Sequence, residues 1–321
     1  MLFFGDILEC KQKIVGGQAL FEGVMMKNDE NVCAVVRRAD GQMELKDIDF
    51  TSALKSNKLF SLFILRGFVS LVEMMALGFK TLQFSIDRAM LDESEKTSKK
   101  KSDLRNKIET FFSYLLAIIL TFLFFIYAPY KISEFLPTSK DNFFFNLFAG
   151  VFRVSFFVIY VFAISLFKDI KRVFQYHGAE HIAVNAYEKQ MPLEAEKIKD
   201  VSTINPRCGT SFVFLLLLIS ILIFSVVDSV VSLYIGVPNI FLRIGYHLLL
   251  IPLISGVAFE FLRYSSRNRA NFFVKLIIAP GLAIQKITTK KPSVDQIEVA
   301  VVALKHSLNH SILSFKNLKI L

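Results

Sequence analysis

The 321 residues are 53% hydrophobic, with a mean hydropathy of +0.48 and a net charge of +10 from 38 Lys and Arg against 28 Asp and Glu. That much apolar content in long uninterrupted runs excludes an ordinary soluble domain. The basic surplus, which in a soluble chain would point to nucleic acid, lies on the flanks of the apolar runs, so the expected partner is a lipid bilayer and no nucleic acid. Cys10, Cys33 and Cys208 match no paired-disulfide spacing and point to a reducing compartment. The opening MLFFGDILECKQK is too short in its apolar start, and too soon acidic, for a signal peptide. No internal repeat is visible, which argues against duplicated transporter halves.

In chain order, residues 1–58 form a polar N-terminal segment. Val32–Arg38 reads as a strand, Asp40-Gly41 as a tight turn and Gln42–Ile48 as the return strand. Residues 59–84 are apolar and long enough to span, but Arg66, Glu73 and Lys80 recur every seven residues as a polar stripe, so an interfacial or half-inserted helix is expected there ahead of a spanning one. A basic linker, 96–107, follows. Four spanning helices are expected at about 111–129, 143–167, 211–235 and 240–261, each near the ~20 residues that cross a bilayer core. The loops 130–142 and 236–239 are nearly neutral, whereas the flanks 96–107 and 262–291 are basic. By the positive-inside rule both termini and the loop 168–210 are cytoplasmic. Residues 272–284 are apolar but interrupted by Pro280-Gly281, and read as interfacial. Ser293–Gln296 is a capping box opening a final helix, with Ile297, Ala300, Val301, Leu304 and Leu308 on one face. That face needs the N-terminal part or a second copy of the chain to cover it. The expected fold is mainly α: a polytopic helical membrane protein in which 111–261 is the four-helix region, 262–321 a C-terminal segment, and 1–58 carries a small β-hairpin.

The sharpest chemical signal is His177-Gly-Ala-Glu180-His181. On a helix the two imidazoles stand one turn apart on one face, which suits a divalent metal, zinc above others, and Glu180 lies beside them as a general base. The same pattern also fits polar residues lining a membrane-surface turn. Asn205-Pro-Arg-Cys-Gly-Thr-Ser211 opens the third spanning helix, with Thr210 or Ser211 as its cap. Cys208 there is a candidate nucleophile or ligand, or a small buried residue at a helix start. Two histidines need a third ligand, for which Glu260 comes ahead of Cys208 and Glu188. Gly16-Gly-Gln-Ala-Leu-Phe-Glu22-Gly23 lacks phosphate-loop spacing and reads as a structural turn, from which Gln18 or Glu22 could approach the metal. In the opposite half of the membrane, Asp228 needs a partner among Arg153, His247 and Arg243, with Arg153 first, because an unpaired charge at that depth costs roughly 2.5–3.5 kcal/mol or more.

Together, Gly16–Lys27, Leu65-Arg66-Gly67, Tyr176–His181, Asn205–Phe212 and Pro280–Leu304 resemble the YqhQ-like bacterial membrane proteins, in order and across nearly the whole chain. The sequence departs from that pattern at Ile-Ala-Val after His181 and at Ser-Val-Asp after Pro292, away from the proposed ligands. The resemblance implies a multi-pass protein of the bacterial cytoplasmic membrane and a metal-dependent enzyme. Three functions are therefore weighed. The first is a membrane-embedded metal-dependent hydrolase using His177, His181, Glu260, Glu180 and Cys208 on a lipid-linked or peptide substrate. The others are a non-catalytic scaffold or assembly factor and a small transporter. A homo-oligomer is compatible with all three.

Overall fold

A computed structural model describes residues 13–29, 31–96, 103–136, 143–268, 271–312, 315 and 317–321. The opening residues 1–12 with Cys10, the centre of the basic linker (97–102) and the 137–142 half of the 130–142 loop lie outside the described residues.

The expected hairpin is present as β3 (Asn31–Arg37) and β4 (Met43–Asp47), with Gly41 at φ 87° in the turn. It belongs to a larger sheet. The Gly16-Gly17 stretch is a strand, β1 (Val15–Leu20), paired with β2 (Gly23–Asn28), and the turn falls at Phe21-Glu22, with Glu22 at φ 52°. Near the C-terminus, β5 (Leu318–Ile320) joins in parallel beside β4, giving the order β1-β2-β3-β4-β5.

Alternation along the strands gives the sheet two apolar faces. Val15, Val24, Met26, Val35 and Leu45 form one of them, packed under α6 (Lys168–Glu188) and α11 (Val294–Ser307). Leu20, Met25, Ala34 and Val36 form the other, under Leu77 and Phe84 of α2. α11 (Val294–Ser307) begins with the expected capping box, Ser293 with Gln296, and its apolar face is buried on the sheet and on α6. The N-terminal part of the same chain is thus the partner that this face required.

A short α1 (Ala53–Ser56) and a 3-10 turn (Lys58–Ser61) lead into α2 (Leu65–Lys96). The polar stripe of α2 is used for attachment. Arg66 bonds Glu260, and Glu73 receives Ser52 Oγ and the Ala53 N–H, the latter at 2.6 Å. By length and composition α2 is a fifth candidate span, Leu65–Asp92, beyond the four expected. Its first turns pack on α9, where Gly67 lies against Gly256, and its later turns lie on the sheet.

The other four candidate spans are Phe111–Ser133, Phe143–Ile164, Gly209–Ile235 and Ile240–Ser265, so the chain is a polytopic helical membrane protein. The first combines α3 (Asp103–Phe122), a π-helical turn (Leu123–Tyr127) and α4 (Ala128–Ser133). The π turn lies just ahead of Pro129, whose missing N–H and ring oppose regular α geometry. α5 (Phe143–Ile164), α8 (Gly209–Ile235) and α9 (Ile240–Arg267) form the packed bundle, with Gly150 seated on Ile221. Between α5 and α8 lie α6 (Lys168–Glu188) and the single turn α7 (Ala195–Ile198). Pro280-Gly281 does not interrupt its segment: α10 (Phe272–Thr288) is continuous, packed on α8 with Gly281 beside Ser211.

At the end of the bundle away from the sheet, Asp228 accepts from Arg243 at 3.1 Å, from His247 at 2.9 Å and from the Tyr246 hydroxyl. Arg243 also donates to Asn146 at 3.1 Å. Arg153, placed first from the sequence, makes no such bond: its Nε is buried without a hydrogen-bond partner among the described residues. Arg243 and His247, one turn apart on α9, both reach the carboxylate.

Candidate metal centre

α6 carries His177 and His181 on one face, with ring centroids 4.4 Å apart. Each ring is fixed from behind by a backbone carbonyl. His177 Nδ1 donates to Thr288 O at 2.9 Å, and His181 Nδ1 donates to Thr203 O at 2.5 Å. A carbonyl only accepts, so the proton sits on Nδ1 and each Nε2 is left with a forward-facing lone pair. Metal-binding histidines are commonly oriented in this way.

In front of these nitrogens stands Cys208, its Sγ 3.1 Å from His177 Nε2. Cys208, rather than Thr210 or Ser211, is the N-cap of α8: its sulfur accepts the Thr210 N–H at 3.4 Å and lies 3.1 Å from Thr210 Oγ1. The loop holding it is locked to α10, where Gln285 bonds Asn205 through both backbone groups, at 2.9 and 2.8 Å, and Ser211 Oγ at 2.8 Å. Ligand atoms of His177, His181 and Cys208 lie within 4.8 Å of one another. Tetrahedral zinc, with bonds of about 2.0–2.3 Å, spaces its ligands by roughly 3.3–3.8 Å, so the three fit with little movement. His181 Nε2 is buried and has no hydrogen-bond partner among the described residues. A buried acceptor left open is what a cation would satisfy.

Glu180 is 5% exposed, with Oε2 3.4 Å from His181 Nε2. Two acceptors facing each other need a proton or a cation between them. Burial pushes the Glu180 carboxyl up to about 7, against the opposing effects of His177 and of a hydrogen bond from the Gly17 backbone. A carboxyl in that range can both take and return a proton near neutrality. Gly17 allows this approach: a Cβ there would lie 2.7 Å from Glu180 Cγ and 2.6 Å from Met25 O. Gly178 does the same for the segment behind α6, where a Cβ would lie 2.2 Å from Lys290 O.

The remaining candidates lie elsewhere. Glu260 is held by Arg66, Glu188 pairs with Arg207 at 2.6 Å, and Glu22 is held by Arg172 and Tyr176, so none of the three stands in the cluster. A carboxylate already paired with a guanidinium is a poor ligand candidate, and the side chain that stands with the two histidines is Cys208. Gln18 lines the cavity without joining the histidines, its amide lodged against Gly78. Sequence reasoning missed Thr203 and Thr288, which act through backbone carbonyls that leave no residue signature. It also missed Gly17 and Gln285.

The cluster forms one wall of a cavity of about 970 Å³. Apolar side chains of the membrane helices also line it, among them Leu71, Met75 and Phe79 of α2, Phe157 of α5 and Phe212 of α8.

The family model described as a protein of unknown function, DUF1385, matches residues 62–310. The chain is similar to the uncharacterized protein YqhQ of Bacillus subtilis (strain 168), 31% identical over 310 residues, covering 95% of each chain. No solved structure matches it.

Proposed function

We propose that this chain, which belongs to the DUF1385 family, is a membrane-embedded metal-dependent hydrolase whose site faces the cytoplasm of a bacterial cell. The observation that carries the reading is the open Nε2 of His181, buried beside His177 and Cys208 with both Nδ1 atoms pinned to carbonyls. His177, His181 and Cys208 would hold the ion, zinc by the mixture of two nitrogens and one sulfur. Bound there, it would supply a water acidified toward neutrality and a polarised substrate carbonyl. Glu180 takes the proton of the attacking water and returns it to the leaving group as the bond breaks. The apolar wall excludes bulk water and receives the hydrophobic part of a lipid-linked or peptide substrate.

The test is elemental analysis of the protein purified in mild detergent. About one zinc per chain is expected in the wild type, and close to none in His177→Ala, His181→Ala or Cys208→Ala. Glu180→Gln should keep the metal and lose hydrolysis. Equal metal content in all the ligand variants would remove the reading.

A further inference from the structure

The sheet edge beside the metal centre carries more than a structural role. Among the described residues β1 has only β2 as a strand neighbour, so its other side is an edge. The direction of its backbone groups follows from the register. Arg37 N–H donates to Glu22 O at 2.7 Å, which continues the β2–β3 ladder and makes the even-numbered residues of β2 bond toward β3. Its odd-numbered residues, Gly23, Met25 and Lys27, therefore bond toward β1, where they face Leu20, Gln18 and Gly16. Val15, Gly17 and Ala19 are left with N–H and C=O pointing away from the sheet. The Gly17 N–H is taken by Glu180, as this register requires.

β1 (VGGQAL) carries no charge, and beyond the Glu180 carboxyl at Gly17 no described strand covers the edge, so the usual protections are largely missing. It borders the cavity between α2 and α6, and every residue from Ile14 to Ala19 lines it. Gly16 is exposed, and a Cβ there would meet nothing within 4 Å, so the strand presents bare backbone to the space.

We propose that the substrate is a polypeptide, bound as an extended strand along β1 so that one of its amide bonds is laid beside Glu180 and the histidines. This deepens the hydrolase reading and rests on it for chemistry, though not for binding. The free groups, the N–H of Val15 and Ala19 and the C=O of Val15, Gly17 and Ala19, match a peptide backbone, as in other strand additions. An acyl chain would fill the apolar wall and leave them unpaired. Alternate side chains of the added strand would enter the space walled by Leu71, Met75 and Phe79. In the reaction the amide C–N bond breaks and the water oxygen joins the acyl carbon. One water proton passes through Glu180 to the leaving amine.

The test uses the full-length Glu180→Gln protein in detergent, loaded with zinc or stripped of it. Two probes are offered: a fully randomised decapeptide library, and a matched library N-methylated at alternate amides. Capture of the first should exceed that of the second by about tenfold or more, the effect of one or two hydrogen bonds. Ala19→Pro, which removes an outward N–H, should lower capture about tenfold while zinc content is unchanged. Gly16→Val, which projects a side chain into open space, should do the same without affecting folding. Equal capture of both libraries, indifference to both substitutions, or retention of phosphatidylglycerol from mixed micelles with no peptide would overturn the proposal. Capture without zinc binding would sink the metal reading alone, and zinc binding without capture the strand reading alone.

Discussion

His177 and His181 each commit one ring nitrogen to a carbonyl, at Thr288 and Thr203, so their orientation depends on backbone that mutation of those threonines does not remove. Cys208 is different, because its sulfur both faces His177 and caps α8. Cys208→Ser should preserve the cap, since a hydroxyl accepts the same N–H. It should nevertheless weaken zinc binding by more than the roughly 10–100-fold that loss of a supporting residue costs. Competition with a chelator while the melting temperature is followed separates the two effects: a large fall in melting temperature without loss of affinity would make the sulfur merely structural. Gly17→Ala is a second check at this scale. Its Cβ has no room between Met25 O and Glu180. Hydrolysis should fall by at least about tenfold with zinc content unchanged, because the Cβ displaces Glu180 and the β1–β2 backbone but none of the proposed ligands. Unaltered hydrolysis would detach Gly17 and Glu180 from the chemistry.

At the scale of elements, attachment of α2 to the bundle rests on the Arg66–Glu260 pair and on the close approach of Gly67 to Gly256. Arg66→Gln, Glu260→Gln and the double variant should show a coupling of about 1.5–3 kcal/mol in detergent unfolding, the range of hydrogen bonds to charged groups. Additive effects would mean that the pair is incidental. Asp228→Asn should cost roughly 3–5 kcal/mol, because Arg243 is left buried without a charge partner, and Arg243→Gln added to it should restore part of the loss. What could be read from the sequence follows the same division. Helices, capping box, hairpin and the His–Glu–His segment were legible because each is a local pattern. Glu260 stands apart from the histidines, on Arg66, because a place near a helix end gives depth in the membrane but not the direction in which a side chain points. β1 was taken for a turn because two glycines weaken any strand pattern, although it is pairing with β2 that fixes their conformation.

For the whole molecule, the sheet end and the far end of the bundle should label from opposite sides of the membrane. Lys199→Cys and Val237→Cys are both exposed positions. An impermeant maleimide applied to intact cells should reach the second and not the first. Labelling of Lys199→Cys would reverse the proposed orientation and move the site outside.

The sheet also fixes an order of events during synthesis. β1 to β4 leave the ribosome first, but α11, which covers one of their faces, and β5, which completes the edge, come roughly 250 residues later, or about 12–50 s at ordinary elongation rates. Throughout that interval the membrane helices are being inserted while Val24, Val35 and Leu45 lack their α11 cover. The nascent chain therefore carries a sticky, half-built sheet beside a growing bundle. A chain stopped before residue 294 should insert its helices normally yet be bound by chaperones or degraded, and its metal centre should be lost although every ligand has already been made.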